Sequence, residues 1–199
     1  VVGIALPFAY FHIRNMLNMS IRGRKDVEAI TTIPVLGEIP HRKEGISDAE
    51  ILVGEQKTDS INEAFRMLRF SLSFIQKDAR IIMFTSTTPG EGKTFISRNF
   101  AVTLGMTGKR VILVDTDIRK RTQSKLSGTT HREGLTSYLS GATDEVKSLV
   151  IKECPEYNVD MLPAGITPPN PSELLMSERL ELLMEELKKT YDYIIVDKR

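Results

Sequence analysis

The segment Thr87-Thr88-Pro89-Gly90-Glu91-Gly92-Lys93-Thr94 restricts the possible folds of this chain more than any other feature. It follows Arg80-Ile81-Ile82-Met83-Phe84-Thr85-Ser86, an apolar run of strand length, and leads into a helical stretch from about Gly92 to Met106 that Gly108 ends. Gly90 and Gly92 allow the turns that bring successive backbone N–H groups onto one anion. The helix that follows turns its positive end toward the same anion. At this spacing Lys93 reaches the outer phosphates of a nucleotide and the Thr94 hydroxyl ligates Mg²⁺. Thr88, Pro89, Gly90, Glu91, Gly92, Lys93, Thr94 and Phe95 are the expected nucleotide-contacting residues. One position departs from the full pattern, since Thr87 stands where its first glycine belongs. Val111-Ile112-Leu113-Val114 is a second buried strand. Strand, loop, helix and strand make a βαβ unit, and continuously apolar strands imply a parallel sheet covered on both faces.

Two further carboxylate signals stand at strand ends. In Val114-Asp115-Thr116-Asp117-Ile118-Arg119, the side chains at i and i+2 leave on one face. Both aspartates can serve one Mg²⁺ and its water shell, or one can accept the proton of an attacking hydroxyl. We expect Asp115 as the proton acceptor and Asp117 as a metal ligand, although spacing leaves the reverse open. Tyr193-Ile194-Ile195-Val196-Asp197 places Asp197 at the end of another apolar strand, a metal-holding position in phosphate-loop enzymes. The expected catalytic set is Lys93, Asp115 and Asp117, and the expected metal set is Thr94, Asp117 and Asp197. Elsewhere, Ser60-Ile61-Asn62-Glu63 reads as a capping box. It opens a helix to about Gln76 whose apolar face carries Ile61, Phe65, Leu68, Leu72 and Phe74 or Ile75. Asn158–Leu162 reads as a strand. Asn170-Pro171-Ser172-Glu173 opens a helix with leucines 174, 175, 180, 183 and 187 as its buried stripe.

The formal net charge of +1 gives no electrostatic reason to expect a nucleic-acid partner. Cys154, the single cysteine, has no partner for a disulfide and no neighbour at metal-ligand spacing. Val1–Phe11 is apolar and runs into His12, Arg14, Arg22, Arg24 and Lys25. It is shorter than the roughly 20 residues a spanning helix needs. A buried helix or strand is the plain alternative, but the charge pattern favours the cytoplasmic end of a transmembrane helix over residues 1–17. No basic segment precedes it, which excludes a signal peptide. Residues 18–58 lack sustained periodicity and read as a juxtamembrane linker, extended through Ile33–Pro40. Residues 59–199 form the nucleotide-binding domain.

The ordered set resembles the bacterial tyrosine kinases, relatives of the MinD and ParA ATPases. Thr88 stands where the MinD and ParA group carries an additional lysine. Glu63-Ala64-Phe65-Arg66-Met67-Leu68-Arg69 matches the kinases' E-x-x-R-x-x-R motif. Pro163-Ala164-Gly165 through Pro168–Leu175, and Pro34–Pro40 shortly after an apolar segment, are similar to the kinases' corresponding segments. The resemblance implies a three-layer α/β P-loop NTPase domain with a mostly parallel sheet whose C-terminal part is missing. It implies ATP and Mg²⁺ as cofactors, and ring-like homo-oligomers assembled through Glu63, Arg66 and Arg69. It further implies a protein-tyrosine (auto)kinase that regulates capsule and exopolysaccharide polymerisation and export. Such a kinase sits at the bacterial inner membrane with its domain facing the cytoplasm, beside the export machinery and its protein tyrosine substrates. Two alternatives are an ATPase switch of the MinD/ParA type without tyrosine transfer, and a non-catalytic fragment of an export complex. The family continues past the residue matching Asp197 with a small residue and prolines, where this chain reads Lys198-Arg199. The expectation is a chain cut at both ends. Tyr10, Tyr138, Tyr157, Tyr191 and Tyr193 form no cluster and read as packing or surface residues.

Overall fold

Which side of each strand a residue faces decides most of this architecture. The computed structural model describes residues 10, 12, 21, 23–41, 50–88, 90–119 and 133–198. The expected membrane segment, apart from Tyr10 and His12, and Pro89 of the glycine loop lie outside them. The chain divides after Glu38 into two units. In the first, helix α1 (Arg24–Ile30) buries none of its residues. The Arg24–Glu28 pair at 2.6 Å and a bond from the Arg24 N–H to the Glu38 carboxylate hold it. So short a helix offers too few turns for its period to show in sequence. Ile33–Pro40 carries no helix or strand, in keeping with its prolines.

The second unit is built on strands β1 (Ile81–Phe84), β2 (Val111–Asp115), β3 (Ile151–Cys154), β4 (Val159–Leu162) and β5 (Tyr193–Asp197). They lie in the order β1-β5-β2-β4-β3, all parallel except the β3–β4 edge pair. Ile112, Val114, Leu162, Ile194 and Val196 point into one core, while Val111, Leu113, Val159, Met161 and Ile195 point into the other. The sheet is therefore covered on both faces, as a parallel sheet must be. Edge strand β1 departs from this expectation, because Ile81 and Met83 alternate outward and stay exposed.

Helices α2 (Ser60–Ile75) and α3 (Lys93–Gly105) cover one face. Short helices α4 (Leu135–Leu139) and α5 (Val146–Leu149) and the long α7 (Glu178–Thr190) cover the other. Leu183 and Leu187 of α7 are buried, each worth about 1.5–3 kcal/mol. The single expected helix from Asn170 is two, since α6 (Pro171–Leu175) ends before Met176 and Ser177. The Ser177 hydroxyl donates to the Leu174 carbonyl at 2.7 Å, closing the break. Leu174, Leu175 and Leu180 pack only half-buried against the core. Asn170 spends its side chain on Glu173 at 2.8 Å and makes no side-chain cap.

The cap of α2 is Asp59, one residue before the expected Ser60; its carboxylate accepts from the Ile61 and Asn62 N–H groups at 3.1 and 2.9 Å. A carboxylate is as good a cap as a hydroxyl and suits the positive helix end better. Phe65 is buried and Ile61, Leu68 and Leu72 pack beneath it, but Phe74 and Ile75 are exposed, because α2 outruns the core. Tyr191 and Tyr138 are packing residues. The Tyr191 hydroxyl donates to Asp160 at 2.8 Å, and burial, reinforced by that carboxylate, raises its pKa and keeps it protonated. Tyr138 lies under the Arg179 guanidinium at 4.6 Å. Burial also raises the Cys154 thiol, which suits an inert half-buried cysteine.

Local geometry at Asp59 and Gly105 makes stability testable. The Asn62 backbone N–H leads the contacts that hold the Asp59 carboxyl below its usual value, so its stabilisation is complete at neutral pH and lost as pH falls through the lowered value. Asp59→Ala is expected to cost about 1 kcal/mol in urea unfolding at neutral pH, with the gap to the parent closing on acidification. A Cβ at Gly105, the last residue of α3, would meet the Tyr157 carbonyl at 2.1 Å. Gly105→Ala is expected to cost about 1–3 kcal/mol in the same measurement, despite the better helix propensity of alanine.

Candidate active site

Strand pairing brings the three sequence signals together. β5 lies between β1 and β2, in a register that sets Asp197 level with Phe84 on one side and Asp115 on the other. All three strands are parallel, so their carboxyl ends open at one edge, where open α/β sheets hold ligands. Beyond Phe84 the chain enters the glycine loop. Gly90 and Gly92 have φ of 89° and 85°, a conformation that costs side-chain-bearing residues dearly. Gly92 leads into α3, its carbonyl accepting from the Ile96 N–H at 2.9 Å. No acidic residue occupies the first turn of α3, so its positive end remains available to an anion.

The first two side chains of α3 turn to the same carboxylate. Lys93 Nζ pairs with Asp197 Oδ1, and the Thr94 hydroxyl donates to Asp197 Oδ2 at 3.0 Å. Asp197 is fully buried and the Lys93 side chain is 10% exposed. The Asp197 backbone is fixed as well, because its carbonyl accepts from the Thr116 N–H at 3.1 Å and from the Thr116 hydroxyl at 2.8 Å. Asp115, also fully buried, accepts the Asp117 N–H at 3.0 Å and so shapes the turn that carries Asp117. Lys93, Thr94, Asp115, Asp117 and Asp197 thus gather at one strand edge.

Other expected residues take distinct places. Glu91 bridges its own loop, its carboxylate accepting from the Thr87 hydroxyl and the Thr88 N–H, both at 3.3 Å. The Phe95 ring is buried edge-on to Phe65 at 6.1 Å, which leaves its backbone as the part that can face a phosphate. Glu63, Arg66 and Arg69 lie on α2. Arg66 pairs with Glu63 at 2.8 Å and reaches the Glu55 and Lys57 carbonyls, while Arg69 donates to the Thr103 carbonyl at 2.8 Å. Arg69 and Phe70 also line a cavity of about 220 Å³ beside Tyr193, which opens β5 four residues before Asp197. That cavity contains no residue of the glycine loop. Thr116 is a functional neighbour that sequence reasoning misses, as nothing marks a threonine between two aspartates as a backbone clamp. Arg119, which closes the Asp115–Arg119 segment read from the sequence, reaches the Ser172 hydroxyl of α6 at 3.4 Å.

Among the described residues no three His, Cys, Asp or Glu side chains form a preassembled metal cluster. Mg²⁺ keeps several waters and takes one or two carboxylates together with substrate phosphates. The oxygen-only set of Thr94, Asp117 and Asp197 fits such an ion.

Strand, glycine loop, lysine-threonine helix start and a facing strand-end aspartate define a P-loop nucleotide-binding domain. The sequence pattern of the family described as AAA domain matches residues 79–199. A putative tyrosine-protein kinase in the cps region of Klebsiella pneumoniae is 32% identical over 98% of this chain and 29% of its own length. Tyrosine-protein kinase wzc of Salmonella typhimurium is 40% identical over 75% of this chain and 21% of its own length. Among solved structures, the kinase domain of the Escherichia coli tyrosine kinase ETK is 31% identical with a TM-score of 0.76, over 89% of this chain and 72% of that one. The septum site-determining protein MinD of Pyrococcus horikoshii, complexed with Mg-ADP, reaches 28% and 0.51 over 60% of this chain and 49% of that one. The chain belongs to the AAA-domain P-loop family and, within it, to the bacterial tyrosine-kinase domains. It spans less than a third of the length of these curated relatives.

Removing Lys93 takes the ammonium from a buried carboxylate, whereas removing both charges leaves no buried charge there to balance. Lys93→Met is therefore expected to cost about 3 kcal/mol in urea unfolding. The double variant Lys93→Met/Asp197→Asn should cost less than the sum of the two single variants by at least about 1 kcal/mol in a double-mutant cycle.

Proposed function

We propose that this chain is the ATP-binding and phosphoryl-transfer domain of a protein-tyrosine kinase. One observation carries the reading: Lys93 and Thr94 converge on Asp197 at the strand edge that also presents Asp115 and Asp117. Lys93 and the amides of the loop from Thr88 to Phe95 hold the phosphates of ATP. Thr94, Asp117 and Asp197 hold Mg²⁺, which when bound neutralises phosphate charge. Asp115 takes the proton of the acceptor hydroxyl. The tyrosine oxygen forms a bond to the γ-phosphorus as the bond to the bridging oxygen of ADP breaks, so ADP leaves and phosphotyrosine remains. Little covalent work falls to the protein in such a transfer; positioning and charge stabilisation dominate.

The wider assignment rests on relatives named as tyrosine-protein kinases, one of them placed in a cps region. It places the domain in the control of capsule or exopolysaccharide polymerisation and export, on the cytoplasmic side of the bacterial inner membrane. Residues 1–17 are then the membrane segment, 18–58 the juxtamembrane linker and 59–199 the kinase domain. Among the described residues no helix is long and apolar enough to cross a membrane. Assembly of like subunits is assigned to the α2 face of Glu63, Arg66 and Arg69, where Met67, Phe70 and Phe74 stand exposed.

Incubation with Mg·ATP and a tyrosine-containing acidic polymer, read by mass spectrometry, tests the activity. The parent should form phosphotyrosine, and Lys93→Met and Thr94→Ala should lower the rate at least about a hundredfold, the scale expected when transition-state charge stabilisation is removed. Phosphate release from ATP without phosphotyrosine would replace this reading by a nucleotide switch of the MinD kind.

A further inference from the structure

Two buried asparagines take no part in the chemistry above, yet both grip a single stretch of chain. Asn99 lies in the middle of α3 and is fully buried; Asn62, in the first turn of α2, is 2% exposed. The Asn99 side-chain oxygen accepts from the Leu52 and Val53 N–H groups at 2.8 and 3.2 Å. Its nitrogen donates to the Glu50 carbonyl at 3.3 Å. The Asn62 oxygen accepts from the Gly54 N–H at 2.9 Å, and its nitrogen donates to the Leu52 carbonyl at 3.4 Å. Residues 50–54 have no helix or strand of their own. They form a strap whose backbone is satisfied by two side-chain amides where a strand would use a neighbouring strand. Val53 is buried in the same core as Phe95, and Ile51 and Leu52 pack against it.

Asparagine is a poor residue for a helix interior, and the strap accounts for its presence at 99. The remaining bond of Asn99 points toward the active site. Its nitrogen also donates to the Phe95 carbonyl at 2.9 Å, one turn back. Phe95 follows Lys93 and Thr94 directly, and the Gly92–Ile96 bond closes that same turn. From Lys93 to Asn99 is about 9 Å of helix. Hydrogen bonds and packed side chains therefore run without a gap from the strap to the turn that presents the phosphate-binding lysine.

We infer that Asn99 is a positioning residue, and that the strap docked on it sets the first turn of α3, so that strap docking and nucleotide binding are linked. The inference rests on the reading of Thr87–Thr94 as the nucleotide site. Linkage is reciprocal: a nucleotide that fixes the turn holds the strap down, and a loosened strap weakens the nucleotide by the same factor. Glu50, at the head of the strap, is itself held by the Asn99 nitrogen through its carbonyl.

Amide hydrogen exchange of the full chain, with and without saturating Mg·ADP, tests the link. Calorimetric Mg·ADP affinities of the parent, Asn99→Ala and Leu52→Pro complete the test. Leu52→Pro deletes one strap N–H and leaves α3 untouched, so it decides the matter if Asn99→Ala does not fold. Mg·ADP should slow exchange at Leu52 and Val53 by roughly tenfold, and the folded variants should bind Mg·ADP roughly tenfold more weakly, a coupling of ordinary size between linked sites. A purely structural role would lower the melting temperature and leave both readouts unmoved. Parent-like affinity in folded Leu52→Pro, or strap exchange indifferent to Mg·ADP, would overturn the inference while leaving the site intact. A parent that binds no Mg·ADP at all would overturn the site reading and this inference with it.

Discussion

The contact of Lys93 and Thr94 with Asp197 is the interaction on which the rest of the structure depends. It joins the first turn of α3 to the end of β5, residues about a hundred positions apart in sequence. Asp197 has no exposure to solvent, so its carboxylate depends on its partners, the Lys93 ammonium and the Thr94 hydroxyl among them. Those two groups are the ones a nucleotide and its metal would claim. The pair is a folded-state contact, and on the proposed reading a nucleotide complex would have to replace each bond it breaks. P-loop proteins tolerate this because phosphate and Mg²⁺ supply the same charges in the same places.

Much of this arrangement is legible in the amino-acid sequence. The glycine loop, the Asp115–Asp117 pair and the strand ending in Asp197 each carry chemistry in a local pattern, and local patterns are what a sequence displays. The parallel sheet follows from Val111–Val114 and Tyr193–Val196, whose unbroken apolar runs admit burial on both faces. Less legible is everything set by partners distant in the chain. Thr116 holds the Asp197 carbonyl because β2 and β5 are neighbours, and the sequence does not announce that pairing. β3 is hidden for the same reason. Ile151–Cys154 is short and carries Lys152 and Glu153, and it becomes a strand by pairing antiparallel with β4, where Lys152 meets Asp160 and Glu153 meets Arg98. Ser60 and Asp59 are both good caps and stand side by side, so only geometry gives the role to Asp59.

The cores explain why the site can carry so much buried charge. One face is filled by Phe65, Phe95, Phe100 and Leu104, the other by Leu135, Leu139, Leu183 and Leu187, around strands that are apolar on both sides. Each such residue contributes about 1.5–3 kcal/mol on burial. The polar cost collects at the carboxyl edge, where Asp115, Thr116, Asp117 and Asp197 are all buried. These side chains are held by specific bonds, Asp197 by Lys93 and Thr94, its carbonyl by the Thr116 hydroxyl, and the Asp117 N–H by Asp115. Buried carboxylates gathered at a strand edge are costly to a fold, and such a cluster is where a functional site is to be sought.

The same logic separates the two kinds of asparagine and arginine on the helical face. Arg66 and Glu63 form a surface pair that adds little to stability, since exposed ion pairs in water contribute a few tenths of a kcal/mol. Arg66 also donates to the Glu55 and Lys57 carbonyls, which ties the start of α2 to the chain before it. Asn99 is the opposite case, because it is wholly buried and its cost in helix propensity is offset inside the subunit by the strap. Arg69 stands between them, with one hydrogen bond spent on the Thr103 carbonyl of α3. α2 therefore joins an outer face of exposed Met67, Phe70 and Phe74 to the helix that carries Lys93, through Arg69 and through the strap that Asn62 and Asn99 share. Any movement of α2 would therefore reach the first turn of α3 through bonds already made.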